Sequence, residues 1–104
     1  MSILGSVLFE EKSRLESLLS KYKEKFSYFP KGSVSLRKIS GKSYAYRVYR
    51  ESGKVHSDYL GSIENEKVQK ALKEKATRVL LKEKMKRVKE NLEEVEGALR
   101  GISV

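Results

Sequence analysis

The chain has no cysteine, one histidine and one proline among its 104 residues. Without thiols there is no disulfide, no thiolate nucleophile and no Cys-based zinc site, a composition compatible with a reducing compartment. A lone imidazole does not make a structural zinc centre either. Long hydrophobic runs are missing as well. The apolar stretch within MSILGSVLFEEK extends at most nine residues, has no basic region before it and runs directly into Glu10 and Glu11. It fits neither a secretion signal nor a membrane span. The expectation is a cytoplasmic protein without membrane contact. Gly41, Gly53, Gly61 and Gly101 stand singly, so neither a P-loop nor a dinucleotide fingerprint is present.

Catalytic constellations are equally scarce. No Ser or Cys nucleophile sits in a recognisable elbow. The acids at 90–96 and along the N-terminal segment are spaced like solvent-facing helical residues with Lys or Arg nearby, which gives paired-carboxylate hydrolysis no support. His56 and Asp58 share a strand face at i, i+2, a geometry that can orient an imidazole as a base or bind a metal. With no nucleophile or second acid beside them, an incidental surface pair is the expected reading. No enzymatic activity and no cofactor are expected.

What the chain has in excess is positive charge. Lys plus Arg number 23 against 14 Asp plus Glu, a formal net charge of +9. Residues 1–30 contribute +1, residues 31–60 +5 and residues 61–104 +3, but the last value hides a gradient. Between 67 and 89 ten bases, Lys67, Lys70, Arg78 and Lys89 among them, face only Glu74 and Glu83. Glu90, Glu93, Glu94 and Glu96 then follow with no base until Arg100. A localised basic zone attracts polyanions through counterion release far better than the same charge spread evenly. A Lys-rich solvated helix face is the plainer explanation of the same run.

Apolar residues at Leu4, Val7, Leu8, Leu15, Leu18, Leu19, Tyr22, Phe26 and Phe29 follow the three-and-four spacing of an amphipathic helix, expected from about Ser2 to Ser27. Pro30 and Gly32 end it. Next come three runs of alternating character, Ser33 to Ile39, Ser43 to Arg50 and Lys54 to Leu60. The connections Ser40-Gly41-Lys42 and Glu51-Ser52-Gly53 place Gly where tight hairpins need positive φ. The pattern predicts a three-stranded antiparallel meander. Val34, Leu36, Tyr44, Tyr46 and Val48 are assigned to its core face, which leaves Arg37, Arg47 and Tyr49 on the opposite face and Lys38, Lys42, Arg50 and Lys54 around turns and edges. Strand three is ambiguous, since Val55/Tyr59 and His56/Asp58/Leu60 both contain apolar residues, and a one-residue slip would invert the exposed set.

Ser62 is the expected N-cap of a last helix running from Ile63 to about Leu99, with Glu64 and Glu66 in its first turn favourable to the dipole. Leu81, Met85, Val88, Leu92, Val95, Leu99 and Ile102 step 4-3-4-3-4-3, a coiled-coil pattern. Val68, Leu72, Ala76 and Val79 form a second stripe on nearly the opposite side. The simplest arrangement gives one stripe to the first helix and the sheet and the other to a second copy of the chain. A monomer in which the first helix serves both is the alternative. The fold class expected is α+β in a single domain, 1–104, with a helix over 1–29, a β-meander over 32–61 and a long helix with coiled-coil character over 62–101. A domain this small buries only about two-thirds of its unfolded surface, which favours self-association.

The run Tyr44-Ala45-Tyr46-Arg47-Val48-Tyr49-Arg50, then Gly53-Lys54-Val55 and Tyr59-Leu60-Gly61, resembles the three-stranded sheets at the N-termini of tyrosine recombinases and some transposases. It also resembles small microbial helix–meander–helix proteins. In the recombinases such a sheet enters the major groove, so the resemblance implies Arg37, Arg47 and Tyr49 as face contacts to bases and phosphates. The catalytic domain of those enzymes is missing and the flanking helices are longer than theirs, so what transfers is a mode of binding. A ribbon fits the major groove, Arg bonds bidentately to guanine and Lys neutralises phosphates. For single strands, Tyr49 could stack on bases. The expectation is a homodimeric nucleic-acid-binding protein, preferring DNA to RNA. Its expected contacts are Arg37, Lys38, Lys42, Arg47, Tyr49, Arg50 and Lys54 on the meander, together with Lys67, Lys70 and Arg78 on the helix. The competing expectation is an assembly module, antitoxin-like or scaffold, acting through the long helix.

Overall fold

The computed structural model describes residues 2–30 and 32–102; Met1, Lys31, Ser103 and Val104 lie outside the described residues. Helix α1 spans Ile3–Ser27, strands β1, β2 and β3 span Ser33–Ile39, Lys42–Glu51 and Lys54–Ser62, and helix α2 spans Glu66–Ile102. The fold is therefore α+β, an N-terminal helix, a three-stranded antiparallel sheet of order β1-β2-β3 and a long C-terminal helix. No described helix is long and apolar enough to cross a membrane.

Two compact units emerge from this order, one formed by 1–28 with 80–104 and the other by 29–79. In the first, the Ser2 hydroxyl caps α1 by accepting from the Gly5 amide at 3.0 Å. Leu15 of α1 packs with Val88 and Leu92 of α2, and Leu18, Leu19, Tyr22 and Val95 close around them. Lys82 lies over the Phe26 ring and Lys84 over Tyr22. Contacts that descend α1 while ascending α2 make the pair antiparallel. Val88, Leu92 and Val95 of the 81–102 stripe are thus met by α1 of the same chain. The reason is local: α1 carries a matching stripe, and an intramolecular partner has no translational entropy to lose.

In the second unit Val34, Ala45, Val68 and Ala71 are buried together, with Leu60 and Leu72 against them. The packing side of α2 here is Val68, Ala71 and Leu72 followed by Lys75 and Arg78; of the expected stripe Val68 and Leu72 are in it, while Ala76 is exposed and Val79 half exposed. The two cations have work inside the unit. Lys75 donates from Nζ to the Val34 carbonyl at 2.9 Å, and Arg78 donates to the Gly32 carbonyl. Both carbonyls belong to the outer rim of edge strand β1, where unpaired backbone groups would otherwise invite another strand. Gly32 has φ +89°, and a Cβ there would overlap the Val48 carbonyl oxygen, so β1 can enter the sheet only through a glycine.

The start of α2 differs from expectation. Ser62 closes β3 opposite Tyr44, and Asn65 caps the helix, its Oδ1 accepting from the Lys67 amide at 2.8 Å. Of the two acids expected in the first turn, only Glu66 is there. The ladder reaches past Leu60 because a bulge between Ala45 and Tyr46 absorbs the extra residue and pairs Gly61 with Ala45.

Candidate nucleic-acid interface

Both hairpins close through two residues, each with positive φ: Ser40 (53°) with Gly41 (80°), and Ser52 (52°) with Gly53 (74°). This is the type I′ geometry, whose twist matches that of the strands. It pairs Ile39 with Lys42, and from there Arg37 with Tyr44, Ser35 with Tyr46, Leu36 with Ala45 and Val34 with Arg47. The three-residue connection expected from the sequence would have shifted every pair by one. That single residue exchanges faces. The expected core set is consequently split, with Val34 and Leu36 on the side of α2 and Tyr44, Tyr46 and Val48 on the other. The expected contact trio divides too. Arg37 lies on the tyrosine face, while Arg47 and Tyr49 lie on the helix side.

Directly paired residues share a face, so the register defines both surfaces of the sheet. The helix side carries Val34, Leu36, Lys38, Ala45, Arg47 and Tyr49, facing His56 and Asp58 on β3, with Glu51 opposite Lys54 at the turn. Tyr49 stacks on His56 at 5.3 Å between centroids with 16° between planes. The Asp58 carboxylate lies beside the Tyr49 phenol as an acceptor that favours its protonated form. That acceptor, then burial and the negative charges of Asp58 and Glu51, raises the Tyr49 pKa above the ordinary 10.0. His56 and Asp58 therefore do share a face, and Tyr49 occupies both of them. Among the described residues no group of three or more His, Cys, Asp or Glu is placed to hold a metal ion.

The opposite face is chemically simpler. It carries Ser33, Ser35, Arg37 and Ile39 on β1, Lys42, Tyr44, Tyr46, Val48 and Arg50 on β2, and Val55, Ser57 and Tyr59 on β3. Three bases stand on it and no acid, because both sheet acids, Glu51 and Asp58, fall on the helix side. The Arg37 guanidinium lies 4.8 Å from the Tyr46 ring centroid, a cation–π arrangement. Tyr46 meets Tyr59 edge-on at 5.4 Å, and Tyr44 lies 6.2 Å from Tyr59. Tyr44 and Tyr46 are half-buried against these neighbours, whereas Tyr59 remains 58% exposed. Beside Lys42 and Tyr44 a hollow of about 380 Å³ opens, with Ser62 and Glu64 in its wall.

The expected contacts are thus distributed over three places. Arg37, Lys42 and Arg50 share the tyrosine face. Lys38, Arg47, Tyr49 and Lys54 share the other. Lys67, Lys70 and Arg78 belong to α2, which packs on that other face, so the sheet separates them from the tyrosines. Lys67 and Lys70 are exposed, and Arg78 is tied to β1. The single positive surface expected from the meander and the 67–89 run does not form with the tyrosine face within this unit. Tyr44 and Tyr46 were assigned to the core because aromatic alternation reads so, and Tyr59 was left open with the register of strand three. The signal that locates them is the Ser-Gly pair in each hairpin.

An α+β chain of helix, three-stranded meander and long helix, with a basic aromatic sheet face, is the class the fold defines. The model of a family described as a domain of unknown function, DUF6788, matches residues 9–70, from Phe9 of α1 through the sheet into the first turns of α2, and the chain belongs to that family. No curated protein and no solved structure matches the chain.

Proposed function

We propose that this is a non-enzymatic nucleic-acid-binding protein whose contact surface is the tyrosine face of the sheet. The observation that carries the reading is the partition of charge: Arg37, Lys42 and Arg50 share one face with three tyrosines and no acid, while both acids of the sheet lie behind it. Cations without competing carboxylates neutralise phosphates, and flat rings beside them contact bases or sugars. From the recombinase-like sheet only the use of a sheet face as contact surface is kept, with a changed residue set, Arg37 staying and Arg47 and Tyr49 leaving. Lys67 and Lys70 would contribute long-range attraction only, which is weak beyond about 10 Å at 0.1 M salt. The assembly-module alternative, acting through the long helix, has less support, since Leu15, Leu18, Leu19 and Tyr22 pack with Val88, Leu92 and Val95 of that helix.

The test is a comparison of the two faces. Binding of labelled mixed-sequence DNA and RNA is measured by anisotropy at low salt for the wild type, for R37A/K42A/R50A and for K38A/R47A/K54A. The first triple variant should lose most of the affinity and the second should retain it. Absence of binding by the wild type, or equal losses in the two triples, rejects the reading.

A further inference from the structure

Resting on that reading, we infer that the tyrosine face takes unpaired bases by stacking on its exposed flat groups, Tyr59 first, and that its ligand is a single-stranded nucleic acid. Spacing is the first argument. Successive residues on one face of a strand recur about every 6.8 Å, twice the rise of about 3.4 Å per residue, so Tyr44 and Tyr46 leave β2 at that interval, and their rings stand 6.2 and 5.4 Å from the ring of Tyr59. Bases in a duplex recur every ~3.4 Å along a strand and bury their π-faces against one another. Rings set wider apart than that engage bases that are already unstacked.

Availability is the second argument. Tyr59 keeps 58% of its surface exposed while its ring edge is held by Tyr46 at 5.4 Å, so the platform is oriented before any ligand arrives. Arg37 is spread over Tyr46 at 4.8 Å, and the outer plane of a guanidinium is itself a stacking surface. Groove readout asks for the reverse, polar tips projecting past the sheet towards base edges. Here the flat groups form the middle of the face and Lys42 and Arg50 stand at the two ends of β2, where they can meet the phosphates of a strand laid along it.

The experiment uses the full chain and four probes of one mixed sequence, single-stranded DNA, single-stranded RNA and the corresponding duplexes, each at 50 and 200 mM salt. The single strands should bind at least tenfold tighter than the duplexes. Tyr59→Leu should weaken single-strand binding by about tenfold or more, as loss of one base–aromatic stack implies, with an unchanged salt slope, and Tyr59→Phe should restore it. The DNA and RNA arms separate the two sources of unpaired bases, since a 2′-hydroxyl contact makes RNA the tighter ligand. Duplexes binding as tightly as single strands, or Tyr59→Leu behaving as wild type, overturns the stacking inference while leaving nucleic-acid binding standing. Absence of binding to all four probes overturns both.

Discussion

The two faces of the meander are built from the same residue types and do different things with them. On the helix side acids and bases are mixed: Tyr49 lies beside Asp58 and stacks on His56, Glu51 stands opposite Lys54, Arg47 stands opposite Asp58, and Val34 and Ala45 seal against Val68 and Ala71. On the other side Arg37 has the Tyr46 ring for a neighbour, and none of the strand residues on that face is acidic. A tyrosine among acids is a structural hydrogen-bond donor, while a tyrosine among arginines is an available flat surface. Composition does not separate the two cases; facing does.

The contrast is tested most severely by placing a charge on each face. Val68→Asp puts a carboxylate where the side chain is wholly buried, with no partner in the cluster, and should destabilise the sheet unit by about 4 kcal/mol or more. Val55→Asp, on the tyrosine face at 64% exposure, should stay within about 0.5 kcal/mol in the same thermal melt. Comparable losses in the two variants would mean that the helix side has been wrongly identified.

Gly32→Ala attacks the entry of β1. With φ +89° and the Val48 carbonyl in the way, the substitution should cost about 1–3 kcal/mol and loosen β1 before β3, visible as faster amide exchange in Ser33 and Ser35 than in Ser57. Uniform exchange would instead report one cooperative sheet.

Charge removal sharpens the comparison at smaller energetic cost. The variant R37A/K42A/R50A removes only exposed or edge cations, so its stability should change by less than about 1 kcal/mol. Its binding should lose about one unit of salt slope per phosphate contact removed. A slope equal to that of the wild type would detach phosphate binding from this face.

The smallest effect expected concerns pH. The folded pKa of Tyr49 is raised by the Asp58 carboxylate beside it, so the native state holds that proton more tightly than the unfolded chain does. The associated stability is fully present below the unfolded value near 10 and is lost as pH rises through the higher folded value. Tyr49→Phe should remove this alkaline component, as followed by circular dichroism during alkaline unfolding. An unchanged alkaline profile would show that Asp58 does not hold the Tyr49 proton in solution.

The chain's elements were largely legible without coordinates. The three-and-four spacing from about Ser2 to Ser27, Pro30 and the alternation from Ser33 mark α1 and β1 to within a residue, because helical spacing, breakers and period-two patterns are local. The antiparallel order follows from two short turns. The site was less legible. Arg37, Lys42 and Arg50 were all singled out, yet Arg37 was grouped with Arg47 and Tyr49 because each connection was counted as three residues instead of two. The start of α2 was placed at Ser62 because a serine before an acidic stretch is a good cap, but pairing with Tyr44 claims that residue for β3.

By itself, then, the sequence determines the succession helix, meander, helix, the excess of positive charge, and the two apolar stripes of α2, since each is a matter of spacing along one chain. Tertiary structure decides which stripe meets which partner and which face of the sheet α2 covers. A meander whose alternate residues are apolar on both sides has no inside until a helix packs on one of them. Val68 and Ala71 sealing against Val34 and Ala45 make that choice, and it leaves Arg37 with the three tyrosines on the remaining face.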